Sequence, residues 1–423
     1  MAETITRRHF VMNSGTAAAA GLALSSFPSL GAESPSNQVN IGVMGLQRGR
    51  SLATTFAKQP GVVIKYVCDV DSGHAESCVK LLEGATGKAP QAVTDFRRML
   101  DDKDVDALVC AAPNHWHAPA TIIGCAAGKH VYVEKPCCHN PREGELMIEA
   151  ARKYQRAVQM GSQRRSSPGT IEAMRKLHDG KIGHVYLARS WYTNQRPSIG
   201  RGKPIAAPNQ LDYELWQGPA PRREYRDNVV PYNWHWFWHW GNGELGNNGV
   251  HTLDLCRWGL DVDYPIRVSS SGGRYQFDDD QETPDTHTVC FDFEGKRSIT
   301  WEGLSCNKHR SGFVTFYGTA GTLELEGYGT HTVYDANDKV VEKATNSSQG
   351  DVEHIENFLT AIRTDKPLEL NAEIEKGYKS TLLCHLGNIA HRVGRTLHCD
   401  LENGHILDDA PAMALWNREY EKG

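Results

Sequence analysis

The chain is 423 residues long, 39% hydrophobic and 23% charged, with a formal net charge of −5. That length buries a sizeable core and predicts two domains. The charge balance, with no run of Lys/Arg, excludes a basic field for nucleic acid, and no apolar stretch approaches the ~20 residues of a membrane span.

Residues 1–32 read as a targeting segment. Arg7 and Arg8 stand side by side with Phe10 close behind, the mild apolar run GTAAAAGLALSS follows, and SLGAES offers a small-residue cleavage site after Ala32. That order resembles a twin-arginine export signal, which moves proteins already folded, and it implies a periplasmic or otherwise exported protein. A short N-terminal helix is the alternative. The eleven cysteines are scattered, odd in number and without a C-x-x-C pair, so no structural disulfide is expected.

After a linker at residues 33–38, residues 39–160 read as a first domain. VNIGVMGL predicts a buried strand entering a glycine turn, RSLATTFAKQ an amphipathic helix, and VVIKYVCDVD a second strand. Strand, glycine turn, helix, strand and acid form the dinucleotide-binding βαβ pattern. Gly45 and Gln47 lie in the turn, where backbone N–H groups and the helix N-terminus meet a pyrophosphate. Asp69 falls 24 residues after Gly45, near where a carboxylate holds the adenosine ribose hydroxyls and repels a 2′-phosphate. NAD is therefore expected over NADP, with Arg48 and Arg50 as the countervailing charges. The turn departs from G-x-G-x-x-G, since Gly45, Gln47, Gly49 and Arg50 occupy it.

Further along, DALVCAAPNHWHAPATIIGCAAGKHVYVEKP predicts a strand, a helix of small residues and another strand ending in Glu134-Lys135-Pro136. Pro113, Asn114, His117, GKHV and EKP in this run resemble the Gfo/Idh/MocA oxidoreductases. ARKYQRAVQMGSQRR, IGHVYLARSWY and the C-terminal stretch from NFLTAIR to AHRVGR extend the resemblance over nearly everything after the export signal. It implies an α/β protein: an N-terminal Rossmann domain with a parallel sheet, then an α/β domain with a large open, mostly antiparallel sheet. It also implies that Arg48, Pro113, Asn114, His117, Glu134, Lys135 and Gln163 join Gly45, Gln47 and Asp69 around the cofactor. A lysine at a strand's C-terminal end points into the crevice where nucleotides bind, and burial brings a lysine pKa down to roughly 7–8. The family further implies a cis Lys135–Pro136 bond.

Residues 161–423 read as the substrate-binding and oligomerisation domain. Alternating stretches such as DTHTVCFDFEG and GFVTFYGTAGTLELEGY predict strands, and residues 351–394 return to helix. GNGELGNNGVHTLDLCRWGL matches a position where many family members carry D-x-G-x-H. His251 thus matches the family's catalytic histidine, and Asn247 stands where the acid usually sits. With helical spacing the two share a face, with Asp254 close behind; Asp254 or Asp212 would supply the missing charge.

Just before this lies NWHWFWHW. Its alternation suggests an extended chain that presents Trp236, Trp238 and His239 to a sugar ring, or that packs a core. His235 and His239 have helical i, i+4 spacing, but the alternating Trp suggest an extended chain and the sequence holds no H-E-x-x-H or Cys/His cluster, so no metal is expected. The expected activity is oxidation of a hydroxyl on a sugar, glycoside or polyol by tightly held NAD(P), catalysed by Lys135, His251 and Asn247. An NAD-dependent glycoside hydrolase or lyase using transient C3 oxidation is the alternative, and a non-enzymatic carbohydrate-binding protein with structural NAD is the third. A homo-oligomer, dimer or tetramer, is expected.

Overall fold

A computed structural model describes residues 37–346 and 348–422. The expected export signal lies outside the described residues. The first sheet comprises β1 (Val39–Met44), β2 (Val62–Cys68), β3 (Gln91–Val93), β4 (Ala107–Cys110), β5 (His130–Val133) and β6 (Val158–Met160), in the order β3-β2-β1-β4-β5-β6. Every pairing in it is parallel. Its connections carry α1 (Arg48–Ala57), α2 (Ser72–Thr86), α3 (Arg97–Leu100), α4 (Asn114–Ala126) and α5 (Pro141–Tyr154).

The central strands are apolar throughout because both faces are covered. Ala107 and Val109 of β4 pack with Leu52 and Phe56 of α1 in one apolar cluster, whereas Leu108 and Cys110 pack with the α4–α5 side in another. The alternation is the period of two that a strand imposes on its side chains.

The second sheet begins after α6 (Pro168–His178) with β7 (Val185–Gln195). The chain then passes through α7 (Tyr213–Gln217) and α8 (Val250–Leu260) to β8 (Arg267–Gly273), β9 (Thr286–Phe293), β10 (Arg297–Leu304), β11 (Cys306–Asn307), β12 (Val314–Gly318), β13 (Gly321–Leu325), β14 (His331–Asp335) and β15 (Val340–Ala344). α9 (Asp351–Arg363), α10 (Ile374–Val393), β16 (Leu397–His398) and α11 (Ala410–Met413) complete it. The strand order is β15-β14-β13-β12-β7-β10-β9-β8-β16, with β11 beside β7. Only β7 and β10 run parallel.

This sheet is amphipathic. In β9, His287, Val289, Phe291 and Phe293 are buried while the residues between them are half-buried. Burying one such phenylalanine contributes about 1.5–3 kcal/mol. α9, late in the chain, packs back on the first sheet, its Phe358 ring 6.3 Å from Phe56 and 5.9 Å from Tyr132. The two sheets therefore share helices across the crevice between them.

The eleven cysteines are unpaired. No helix among the described residues is long and apolar enough to cross a membrane. Among the same residues, no three His, Cys, Asp or Glu side chains gather as a metal site.

Candidate active site

The carboxyl edge of the first sheet opens on a trough. β1 ends at Met44 and turns through Gly45, whose φ is +83°. A Cβ there would stand 2.5 Å from the Ala112 nitrogen and 2.6 Å from the Ala111 oxygen, so only glycine allows the turn to lie against the end of β4. The first N–H groups of α1 lack intrahelical acceptors and carry the positive end of its dipole, the usual seat of a phosphate.

Beyond the turn, the Asp69 carboxylate accepts from the Leu46 N–H at 2.7 Å and the Asp71 N–H at 2.9 Å. His74 Nδ1 lies 3.5 Å from it, and hydrogen bonding to Asp69 raises the imidazole pKa. Gly45, Asp69, Phe96, Pro113 and Trp116 line a cavity of about 350 Å³ here. A second cavity of about 390 Å³ continues it, since Gln47, Ala111, Ala112 and Trp234 line both. A carboxylate at one end, a glycine turn at a helix N-terminus in the middle and a lysine at the far end fit an extended dinucleotide.

That far cavity holds Arg48, Asn114, His117, Glu134, Lys135, Gln163, Asn247 and His251. Lys135 follows β5, and its peptide bond to Pro136 is cis. Its Nζ donates to the Asn247 carbonyl at 2.7 Å and to Asn247 Oδ1 at 3.1 Å. Glu134 accepts from the Lys135 N–H, from Arg48 Nε at 3.1 Å and from Gln163 Nε2 at 3.3 Å. The His117 ring nitrogens lie 2.7 Å from the Pro136 and Ala112 carbonyls, tying the loop after β5 to that after β4. Asn114 reaches Asn242 at 2.8 Å.

Burial pulls the Lys135 pKa below its ordinary value, with Arg48 and Arg196 adding to the effect and Glu134 and Glu244 opposing it. Burial also holds His251 well below the usual histidine range, helped by the positive charges of Lys135, Arg164 and Arg48. The site thus presents a neutral imidazole beside a lysine of weakened basicity.

Residues 39–162 match the profile of the Gfo/Idh/MocA oxidoreductase family, NAD-binding Rossmann fold. Residues 196–422 match that family's C-terminal alpha/beta domain. The chain belongs to the Gfo/Idh/MocA oxidoreductase family.

An inositol 2-dehydrogenase of Salmonella typhimurium is 30% identical over 157 residues, 37% of this chain and 45% of that protein. A glycosyl hydrolase family 109 protein of Saccharopolyspora erythraea is 29% identical over 159 residues, 36% of this chain and 35% of its own length. The chain spans less than half the length of either curated relative. The solved structure of a levoglucosan dehydrogenase in complex with NADH and levoglucosan shares the fold, with a TM-score of 0.67 and 18% identity over 85% of this chain and 99% of that one.

In this Gfo/Idh/MocA protein the residues expected around the cofactor gather in the trough, and Lys135, Asn247 and His251 meet in its far cavity. The expected substrate wall needs correction. Asp254 is fully buried, bound by Arg165 Nε at 2.9 Å, Ser162 Oγ at 2.8 Å and Ser380 Oγ at 2.6 Å, so it is closed to substrate. Asp212 caps α7 through the Leu215 N–H.

The aromatic run is not an extended strand. Asn233–Trp236 forms a tight 3₁₀ turn, so alternate side chains do not share a face. Trp236 is 2% exposed beneath the Arg196 guanidinium, 4.7 Å away, which is itself paired with Glu244. Trp238 and His239 line a separate cavity of about 370 Å³ with Arg392 and Arg418.

The side chains that do face Lys135 are Tyr232, Trp234 and His235. The repeated Trp and His marked the right segment, but only the turn decides which of them point inward. Asn247 lies in a wide-turn π-type segment, Leu245–Gly249, which leads into α8 and delivers its carbonyl to Lys135.

Gly45→Ala is expected to keep the fold but add about 1–3 kcal/mol of local backbone strain. Retained nicotinamide should then fall about tenfold, read from the cofactor released on denaturation. Full retention would remove the turn from the cofactor site.

Proposed function

We propose that the protein is an exported NAD-dependent oxidoreductase acting on a secondary hydroxyl of a sugar, glycoside or polyol, with its cofactor tightly held. The observation that carries this reading is the Lys135 ammonium, anchored on Asn247, in one cavity with the neutral His251. NAD, when bound, supplies the hydride acceptor. His251 takes the proton from the substrate hydroxyl, and Lys135 holds the substrate oxygen by a hydrogen bond as that proton leaves. Asn247 aims Lys135 without adding charge. Trp234 lines the wall of this cavity and stacks on His235.

Asp69 favours NAD over NADP because a 2′-phosphate beside a carboxylate is repelled. The paired Arg7 and Arg8 support export. An exported enzyme lacks a soluble NAD pool, so its cofactor is loaded before export and regenerated in place. The dehydrogenase relatives point to polyhydroxylated substrates. The family 109 relative supports a second reading, glycoside cleavage through transient C3 oxidation, elimination, water addition and return of hydride.

One experiment separates the two. The protein is purified without added cofactor, denatured and assayed for NAD(H); the intact protein is then offered sugars and aryl glycosides in D₂O. Net oxidation with an acceptor supports the first reading. Aglycone release with deuterium at C2 and no accumulated NADH supports the second. Absence of both reactions overturns the proposal.

Asn247 also sets a pH signature. An amide leaves Lys135 depressed, and activity declines as rising pH removes the ammonium proton. A carboxylate in its place favours the ammonium. Asn247→Asp is therefore expected to move the alkaline limb of kcat/KM upward by about 1–3 pH units. A limb that stays put, or moves down, would show that Lys135 is not the group titrating there.

A further inference from the structure

Three histidines line the Lys135 cavity; both ring nitrogens of His117 are held by the Pro136 and Ala112 carbonyls, and the surroundings of the other two differ. No described residue hydrogen-bonds to either ring nitrogen of His251, so its tautomer is free to change as a proton comes and goes. His235 is locked. Its Nδ1 lies 2.6 Å from the Tyr232 carbonyl oxygen. A carbonyl only accepts, so Nδ1 carries the hydrogen and Nε2 carries a lone pair.

The ring is clamped as well. Trp234 stacks on it with centroids 3.6 Å apart and planes at 21°, and Tyr232 and Trp236 lie at 4.5 Å and 5.7 Å. The backbone is held too, because a Cβ at Gly241 would stand 2.4 Å from the His235 oxygen. Burial pushes the His235 pKa down to about 3, with the Tyr232 bond opposing and Lys135 and Arg196 reinforcing. The ring therefore accepts a hydrogen bond without taking the proton.

The carboxylate and the amide oxygen beside Lys135 are already engaged. Glu134 is held by Arg48 and Gln163, and Asn247 Oδ1 by Lys135. Nε2 of His235 has no partner among the described residues and is left to the cavity.

We infer that His235 reads one hydroxyl of the substrate, accepting its hydrogen bond at Nε2, and is a specificity-determining residue distinct in role from the proton-accepting His251. The inference rests on the cavity taking a polyhydroxylated substrate and deepens that reading. A substrate lacking that hydroxyl leaves a rigid acceptor unpaired in an aromatic wall, a penalty expected to weaken binding about 5- to 100-fold. Because the lone pair is not protonated, the discrimination holds from about pH 5 to about 8.

The test measures binding of methyl glucoside and its monodeoxy analogues to the NAD-loaded protein by calorimetry, in wild type, His235→Phe and His235→Gln. One analogue is expected to bind wild type at least about fivefold more weakly at every pH. His235→Phe, which keeps a flat ring, loses that difference, and His235→Gln, which retains an acceptor, recovers part of it.

A flat deoxy series in wild type overturns the inference without any variant. So does an unchanged penalty in His235→Phe, or a penalty that vanishes below about pH 6. Binding with the expected pattern but no hydride transfer would uphold this role and sink the oxidoreductase reading. No binding of the glucosides or of inositol overturns both.

Discussion

Lys135→Met is expected to slow nicotinamide reduction in a single turnover by about 10²–10⁴-fold, the usual worth of a positioned proton-transfer group. The methionine keeps most of the side-chain volume, so the cavity stays filled. It removes the Nζ that reaches Asn247, 2.7 Å from its carbonyl and 3.1 Å from its Oδ1. Cofactor content should change little, because the glycine turn and Asp69 lie toward the other end of the trough. A variant with unchanged single-turnover rate would remove Lys135 from the chemistry; one that simply loses NAD would make it a cofactor anchor.

The second large effect falls on stability. Asp254→Ala leaves Arg165, 6% exposed, facing an empty site with Arg257 close by. In the folded protein, burial alone would raise the Asp254 pKa, but the Arg165 charge and hydrogen bonds override it and hold the carboxyl below its ordinary value. Removing one partner of such a buried pair costs about 3–5 kcal/mol. The denaturant midpoint should drop accordingly, while the folded fraction keeps far more activity than Lys135→Met. The reverse pattern, near-native stability with lost turnover, would return Asp254 to the substrate site.

The contrast between those two residues shows what local pattern carries. Lys135 was legible because strand, turn and EKP lie within a few residues of one another, and strands buried on both faces announce a parallel sheet. Asp254 sits three places after His251 on the same helix, which is why it looked available. Its partner Arg165 is 89 positions away, and only the fold brings them together.

The aromatic run failed for a related reason. Alternating Trp and His suit a half-buried strand, yet a 3₁₀ turn places Trp234 and His235 on the cavity and sends Trp238 and His239 to another. Tyr232 had no local signal at all; its position depends on contacts with Arg196 and Asn247, 5.6 Å and 3.5 Å away. Likewise, nothing in the spacing of α9 tells that Phe358 returns to the first sheet.

In the proposed reaction a substrate C–H hydride reaches the nicotinamide in the Lys135–His251 cavity. The most direct test of that transfer is one turnover with glucose or inositol deuterated on its ring carbons, followed by mass spectrometry of the released cofactor. Deuterium is expected on the nicotinamide ring in wild type and is expected to be lost in Lys135→Met. Substrate conversion that leaves the nicotinamide unlabelled would contradict that transfer.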